Sequence, residues 1–350
     1  MMNKGILEND MDNIVSHDLP WEKFFGKTVL ITGANGFLPA YMLRTLLFLN
    51  RKYSDSTAIK VIALVRNYDN AKKQLADVID DNNLSFLVQD VCDKLSIDGE
   101  VNFIIHAASQ ASPKFYGVDP VGTLKANVIG TLNLLELARE KKTEQFFYFS
   151  TGDVYGHFDS NVYYEEEKFG WIDPLNIHSC YGESKRMAEN MCICYMHQYG
   201  IDVRIARIFH AYGPGVKLND GRSFADFISN VINNQDIVLN SDGSAVRAFC
   251  YISDATKGFF TIMLKGEPGN AYNVGNENNC ISIFNLANII VDLVPEKKLS
   301  VKRKDFEHDE KYLQSPYSTV LPNCSKLKKL GWLPDISIKD GFLRTLNFYL

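Results

Sequence analysis

No stretch of this 350-residue chain is apolar for long enough to span a membrane, and its first 25 residues are too polar for a secretion signal. Charge of one sign is also scarce: 37 Lys and Arg against 42 Asp and Glu leave a net charge of −5. So small an excess gives no field for nucleic acid or an anionic membrane surface. An anionic substrate would have to be held by a local cluster of Arg, Lys or helix N-termini. Seven cysteines, at 92, 180, 192, 194, 250, 280 and 324, form no CxxC pair and no Cys/His cluster with zinc spacing. Neither a disulfide framework nor a structural metal is therefore expected. Cys192 and Cys194 fall in a helical stretch on different sides and read as packing residues. Reduced thiols suit the cytoplasm. Internal repeats and low-complexity tracts are missing as well.

What is present has the composition of a globular protein, 46% hydrophobic and 23% charged. The length suits one large α/β domain with a smaller lobe. Residues 1–25 read as an N-terminal arm, loose to about residue 20, with a short helix over 20–25 opened by Pro20. From Gly26 buried strands alternate with helices. Strands are predicted at 28–32, 59–65, 84–88, 101–105, 145–150 and 202–208, and helices at 38–50, 69–80, 119–141 and 180–199. This order predicts an α/β fold with a doubly wound, mostly parallel Rossmann sheet over 26–209, joined by part of 250–275. Shorter elements over 210–350, richer in Gly, Asn and Asp, predict a smaller C-terminal substrate lobe.

Gly33-Ala-Asn-Gly36-Phe37-Leu38 follows the first strand and opens a helix. In that setting the backbone can approach a pyrophosphate while free helix N–H groups face the anion. Gly33, Asn35, Gly36, Phe37 and Leu38 are therefore cofactor candidates. Pro39 stands where a third glycine would give close helix–strand packing. The second strand ends at Arg66, a residue that suits the 2′-phosphate of NADP; stacking on adenine or lying in solvent are its alternatives.

Tyr181 and Lys185 lie four residues apart on one helix face. A nearby cation favours a phenolate, so this pair suggests a base working near neutral pH. Ser150-Thr151 end an earlier strand, where a hydroxyl could share the proton of an alcohol substrate.

These motifs resemble those of extended short-chain dehydrogenases/reductases, the NAD-dependent epimerase/dehydratase family. Ser150-Thr-Gly-Asp-Val-Tyr-Gly156 is similar to the family's STxxVYG segment. Ser179 to Cys192, Val203 to Pro214, Asn219 to Phe224 and Arg247 to Asp254 look most like UDP-glucuronate decarboxylases. The resemblance runs from about 26 to 345 and is densest between 105 and 260.

The resemblance implies a tightly held NAD, with NADP left open by Arg66, contacted also by Asp90, Val91, Ala107, Ala108, Ser109, Asn127, Ser150, Tyr181, Lys185 and Ile208. It implies oxidation at sugar C4 with Tyr181 as base, Lys185 lowering its pKa and Thr151 bonding the C4 oxygen. The shared intermediate is a 4-keto sugar. In a uronic acid that ketone lies β to the carboxylate, so CO2 leaves and reduction gives the pentose without an external reductant.

Gly152 and Asp153 stand where, by resemblance, dTDP-glucose 4,6-dehydratases carry Asp–Glu and UDP-glucuronate decarboxylases Ser–Glu. Gly152 lacks the dehydratase acid and the decarboxylase hydroxyl, while Asp153 keeps the carboxylate one methylene shorter or simply ends the strand as a turn residue. Arg222 and Arg247 match positions facing the substrate pyrophosphate, and Leu239 falls in the base pocket. Three positions depart from the family pattern: His210 stands where Asn is usual, His178 where Arg is frequent, and Val320-Leu-Pro-Asn323 in place of Arg-x-Pro-Asp. His210 is either a sugar ligand or a stand-in for the amide.

The expected reaction is decarboxylation of a UDP-hexuronate. A 4-epimerase, a 4,6-dehydratase, an NADPH-consuming reductase and a non-catalytic dinucleotide or nucleotide-sugar sensor are the alternatives. Helices 119–141 and 180–199 are apolar on more than one face, which fits either burial against the chain's own sheet or, by resemblance, a four-helix homodimer interface. No nucleic-acid or membrane partner is expected, and surface polysaccharide synthesis is the implied setting.

Overall fold

The computed structural model describes residues 4–53, 58–158, 163–304 and 319–350. Elements are numbered in chain order. Helix α1 covers Lys4–Val15, strand β1 Thr28–Thr32, α2 Phe37–Lys52, β2 Lys60–Val65, α3 Tyr68–Gln74, β3 Leu84–Val88, β4 Phe103–His106 and α4 Pro120–Lys141. Then come β5 Gln145–Thr151, β6 Tyr163–Tyr164, α5 Cys180–Tyr199, β7 Val203–Ile208, β8 Ala211–Tyr212, α6 Ser223–Ile232, β9 Ile237–Leu239, β10 Val246–Ala248 and β11 Cys250–Tyr251. Last are α7 Ile252–Lys265, β12 Ala271–Val274, β13 Cys280–Ser282, α8 Ile283–Asp292, β14 Val301–Arg303, β15 Thr319–Pro322, α9 Ser325–Lys328 and α10 Ile338–Tyr349.

Seven strands form one sheet in the order β12-β7-β5-β4-β1-β2-β3, and every pair in it is parallel. The order reverses between β1 and β4, which opens a crevice at their carboxyl ends. Side chains alternate across the sheet, so both faces are apolar. Val29 and Ile31 point into the core shared with α1, α2 and α7, whereas Leu30 joins Ile104, Phe146 and Tyr148 under α4 and α5. Asp119 caps α4 by accepting the Gly122 N–H at 3.0 Å, with Pro120 in the first turn. Gly200, in the left-handed region, ends α5.

A second sheet runs β13-β10-β15-β6, and α6, α8 and α10 pack beside one another. The chain passes repeatedly between the two sheets: β6 leaves to pair with β15, β7 returns, β10 leaves again, β12 returns to pair with β7, and β13 leaves to pair with β10. Val320-Leu-Pro-Asn323 thus supplies most of β15.

The arm expected to be loose is instead helical over α1 and packed. Leu7, Met11 and Ile14 are buried, and the Asp10 carboxylate accepts hydrogen bonds from Tyr41 at 3.1 Å and Tyr251 at 2.9 Å. A polar stretch hid this because its apolar residues form one narrow stripe. The helix expected over 69–80 ends at Gln74, where turns take over. Cys192 and Cys194 lie on different sides of α5 as expected, but only Cys192 is a buried packing residue; Cys194, expected to pack as well, is exposed, and all seven cysteines are free. No described helix is long and apolar enough to cross a membrane.

Candidate active site

The crevice between β1 and β4 is built by a hydroxyl and a histidine. Thr32 Oγ1 accepts the N–H groups of Ala107 at 3.1 Å and Ala108 at 3.0 Å, so its own hydrogen goes to His106 Nδ1 at 2.9 Å. His106 Nε2 then donates to Thr131 at 3.0 Å, a neutral tautomer that agrees with burial and nearby Lys185 holding its pKa far down. Thr32 and Thr131 escaped the sequence reading, because a threonine ending a strand or lying inside a helix carries no motif.

Gly33 has φ +61°, and a Cβ there would lie 3.0 Å from Ala108 Cα, so only glycine fits this turn. Gly36 heads α2, with Asn35 beside it and Phe37 and Leu38 in the first, half-buried turn. Pro39 is accommodated: it is buried in that turn, its Cγ 3.2 Å from where a Gly36 Cβ would sit.

Asp90 Oδ1 accepts the Cys92 N–H at 2.8 Å, and Val91 is buried against Gly130. Arg66 is exposed at the end of β2. Ser109 Oγ and Asn127 Oδ1 are buried without a hydrogen-bond partner among the described residues, although Asn127 Nδ2 donates to Ser184 at 2.9 Å. The Gly33 turn, an uncapped helix N-terminus and these orphaned polar atoms suit a dinucleotide. Ser150, expected at the cofactor, donates its hydroxyl to Glu189 at 2.5 Å. Ile208 ends β7 opposite Thr151 and Val274.

One side of the next cluster comes from α5. Tyr181 and Lys185 are both buried, and Lys185 Nζ donates to the Phe149 carbonyl at 2.6 Å, 4.7 Å from the Tyr148 ring and 5.9 Å from that of Tyr181. Burial pulls the Lys185 pKa down to about 7, opposed by Glu189 and Cys192. Burial and Asp153 push the Tyr181 phenol up, opposed by its hydrogen bond to Thr151 and by Arg222. The lowering expected from Lys185 is not among the effects on this phenol, which has lost water while the cation sits toward Phe149. Tyr116 stacks on Tyr181, centroids 5.2 Å apart at 17°.

Thr151 Oγ1 accepts the Asp153 N–H at 3.2 Å. Burial pushes the Asp153 carboxyl up to about 6 against the pull of Arg247. At Gly152 a Cβ would lie 2.6 Å from Phe209 Cε1, so the Phe209 ring occupies the space of the missing side chain.

His210 supplies the third side with a strained backbone, φ +25°. Its carbonyl accepts the Cys250 N–H at 3.2 Å, and its Nδ1 is buried without a partner among the described residues. Burial, then Arg247 and Arg222, press its pKa down to about 3. Arg247 is buried, with Nη1 donating to the Val246 carbonyl at 2.8 Å. Arg222 pairs with Asp220 and heads α6. These electrostatic links bring Asp153, Tyr181, His210, Arg222 and Arg247 into one cluster.

A loop from the Rossmann side closes over it: Ser112 donates to the Asp220 carbonyl and Lys114 Nζ to the Asn219 carbonyl at 2.9 Å. Tyr116, carried by this loop, is a site residue that sequence reasoning missed. Leu239 is buried on β9, and His178 is exposed in the turn before α5. A separate cavity of 380 Å³ borders Glu189 and Arg207 rather than Tyr181.

The profile of the NAD dependent epimerase/dehydratase family matches residues 29–275. UDP-glucuronic acid decarboxylase 6 of Arabidopsis thaliana is 33% identical over 323 residues, 91% of this chain and 88% of that protein. UDP-glucuronic acid decarboxylase 1 of Xenopus tropicalis is 32% identical over 92% of this chain and 72% of its own length. Among solved structures, DesIV, a dTDP-glucose 4,6-dehydratase from Streptomyces venezuelae with NAD bound, is 26% identical with a TM-score of 0.77, covering 92% of this chain and 96% of its own. UDP-glucuronic acid 4-epimerase from Bacillus cereus, in complex with UDP-glucuronic acid and NAD, shares the fold at 21% identity and TM-score 0.77, covering 92% and 98%.

Proposed function

Since the chain belongs to the NAD dependent epimerase/dehydratase family, we propose that it is a UDP-hexuronate decarboxylase that acts on UDP-glucuronate through a 4-keto sugar. The observation that carries this reading is the similarity to UDP-glucuronic acid decarboxylases along nine-tenths of the chain, 91% for the Arabidopsis protein. The geometry supports it: the cluster offers one carboxylate, Asp153, and Phe209 fills the place of a second acid at Gly152.

NAD, when bound, supplies reversible oxidation and reduction at sugar C4. Gly33, Asn35, Gly36, Phe37 and Leu38 would hold its pyrophosphate, Asp90 and Val91 the adenine, and Ala107, Ala108, Ser109 and Asn127 the crevice end, with Arg66 facing solvent at the adenosine side. Thr151 holds the C4 oxygen and Tyr181 takes its proton, with Lys185 behind the phenol. The ketone so formed lies β to the carboxylate; the C5–carboxyl bond breaks, CO2 leaves, and its electron pair enters the enolate. Asp153, near 6, carries the proton that returns to C5. Tyr181 returns its proton to the C4 oxygen as the ketone is reduced. Arg222 and Arg247 hold the diphosphate, Leu239 lines the base pocket and His210 faces the sugar.

The protein works as a homodimer through α4 and α5, a reading supported by the exposed apolar residues Val121, Leu124, Ile129 and Leu132 on α4 and Met187 on α5. Its seven free thiols suit the cytoplasm.

Incubation with UDP-glucuronate alone should release CO2 and a UDP-pentose. Intact uronate with inverted C4 would replace the decarboxylase by an epimerase. Mass spectrometry of freshly denatured protein should find about one NAD per chain; NADP would instead return Arg66 to the 2′-phosphate.

A further inference from the structure

Lys185 is buried, and no carboxylate among the described residues lies within ion-pair distance of its ammonium. Its polar neighbours are the Phe149 carbonyl and the Tyr148 ring. The anion that acts on it most is Glu189, one helical turn further along α5.

Glu189 itself has no freedom to turn. Its Oε1 accepts from Ser150 at 2.5 Å and from Arg207 Nε at 3.0 Å, and its Oε2 accepts from Arg207 Nη2 at 2.7 Å. Arg207 is anchored in turn, Nη1 donating to Tyr155 OH at 3.1 Å and to the Glu166 carbonyl at 2.8 Å. Tyr155 OH donates to Asn273 Oδ1 at 2.6 Å. We infer that Glu189 is a positioning residue: clamped by Arg207 and Ser150, it is the fixed counter-charge that keeps the Lys185 ammonium protonated during the reaction.

The inference rests on the proposed roles of Tyr181 and Lys185. A buried ion pair alone is poor support for stability, since apolar residues of similar volume often do as well. This pair has a further consequence. Without Glu189, the buried Arg207 guanidinium would lose its carboxylate partner and the buried Lys185 the anion one turn along its own helix. Arginine does not give up its proton in a protein, so lysine is the group that would. The other groups around Lys185 offer no charge in compensation. His106 on β4 is held neutral, Cys192 on α5 keeps its proton because burial raises its thiol, and Tyr148 and Tyr181 are phenols raised by burial. Asn127 and Thr131 on α4 carry none.

The test uses the full-length, cofactor-loaded protein and follows CO2 release from UDP-glucuronate against pH for Glu189→Gln and Glu189→Asp. In Glu189→Gln the alkaline limb of kcat should move down by about one pH unit, a loss of about tenfold near pH 8, with KM unchanged. Glu189→Asp should restore the limb. A Glu189→Gln profile that superimposes on the parent's, or a change confined to KM, overturns the inference. If that variant does not fold, Glu189→Gln/Arg207→Gln leaves no orphaned guanidinium: a smaller shift in the same direction supports the inference, and an unmoved limb overturns it. Should the parent release no CO2, the substrate reading fails separately. The profile is then followed through the absorbance of reduced cofactor with UDP-glucose or UDP-galacturonate.

Discussion

Gly152 and Phe209 compete for one small volume. A Cβ on residue 152 would stand 2.6 Å from Phe209 Cε1 and 2.9 Å from Cδ1, and the ring is buried. Gly152→Ser should therefore lose about 1–3 kcal/mol in denaturant melts, and adding Phe209→Leu should recover most of it. An unchanged melt for the single variant would mean that the ring moves freely. At the neighbouring phenol, Tyr181→Phe should lower turnover by about a thousandfold while nucleotide-sugar binding, read by calorimetry, stays intact. Asp153 and His210 show how one environment separates two titrations. Burial raises the carboxyl and lowers the imidazole, because in each case the charged form is the one that loses water.

At the scale of elements, α1 is a staple. Asp10 reaches from it to Tyr41 on α2 and Tyr251 beside α7, and Arg344 on α10 lies 3.3 Å away. Burial lifts the Asp10 pKa from 3.8 to about 6 despite those partners. An acid raised in the folded state binds its proton more tightly there than in the unfolded chain. Its contribution is therefore fully present below the unfolded value and is lost as pH rises through the folded one. Stability should fall by about 3 kcal/mol from this group between roughly pH 4 and pH 6. Asp153 adds to the same slope. Asp10→Asn should flatten it, gaining stability at neutral pH and little at acid pH, as read from urea melts at several pH values. An unaltered slope would assign the titration elsewhere.

At the scale of the whole molecule, two halves meet over Tyr181, and the apolar stripe on α4 points away from both. Leu132→Arg, at a position 38% exposed, should turn a dimer into a monomer in sedimentation while the fold remains. A parent protein that sediments as a monomer would remove the four-helix interface. Much of this molecule is local and was therefore legible from residue order. A glycine turn between strand and helix, Tyr181 and Lys185 one turn apart, and strands alternating with helices each follow from backbone sterics and periodicity within a few residues. Arg247, Arg222, Asp153 and His210 were named from motifs, yet their mutual field exists only because β10, α6, β5 and β7 end together. That α1 docks, that Ser150 turns to Glu189, that Phe209 fills the gap at Gly152 and that Tyr116 covers Tyr181 were settled by tertiary packing alone. Each depends on contacts between segments far apart in the chain and on the burial they create, and burial sets both the space and the pKa values that the chemistry needs.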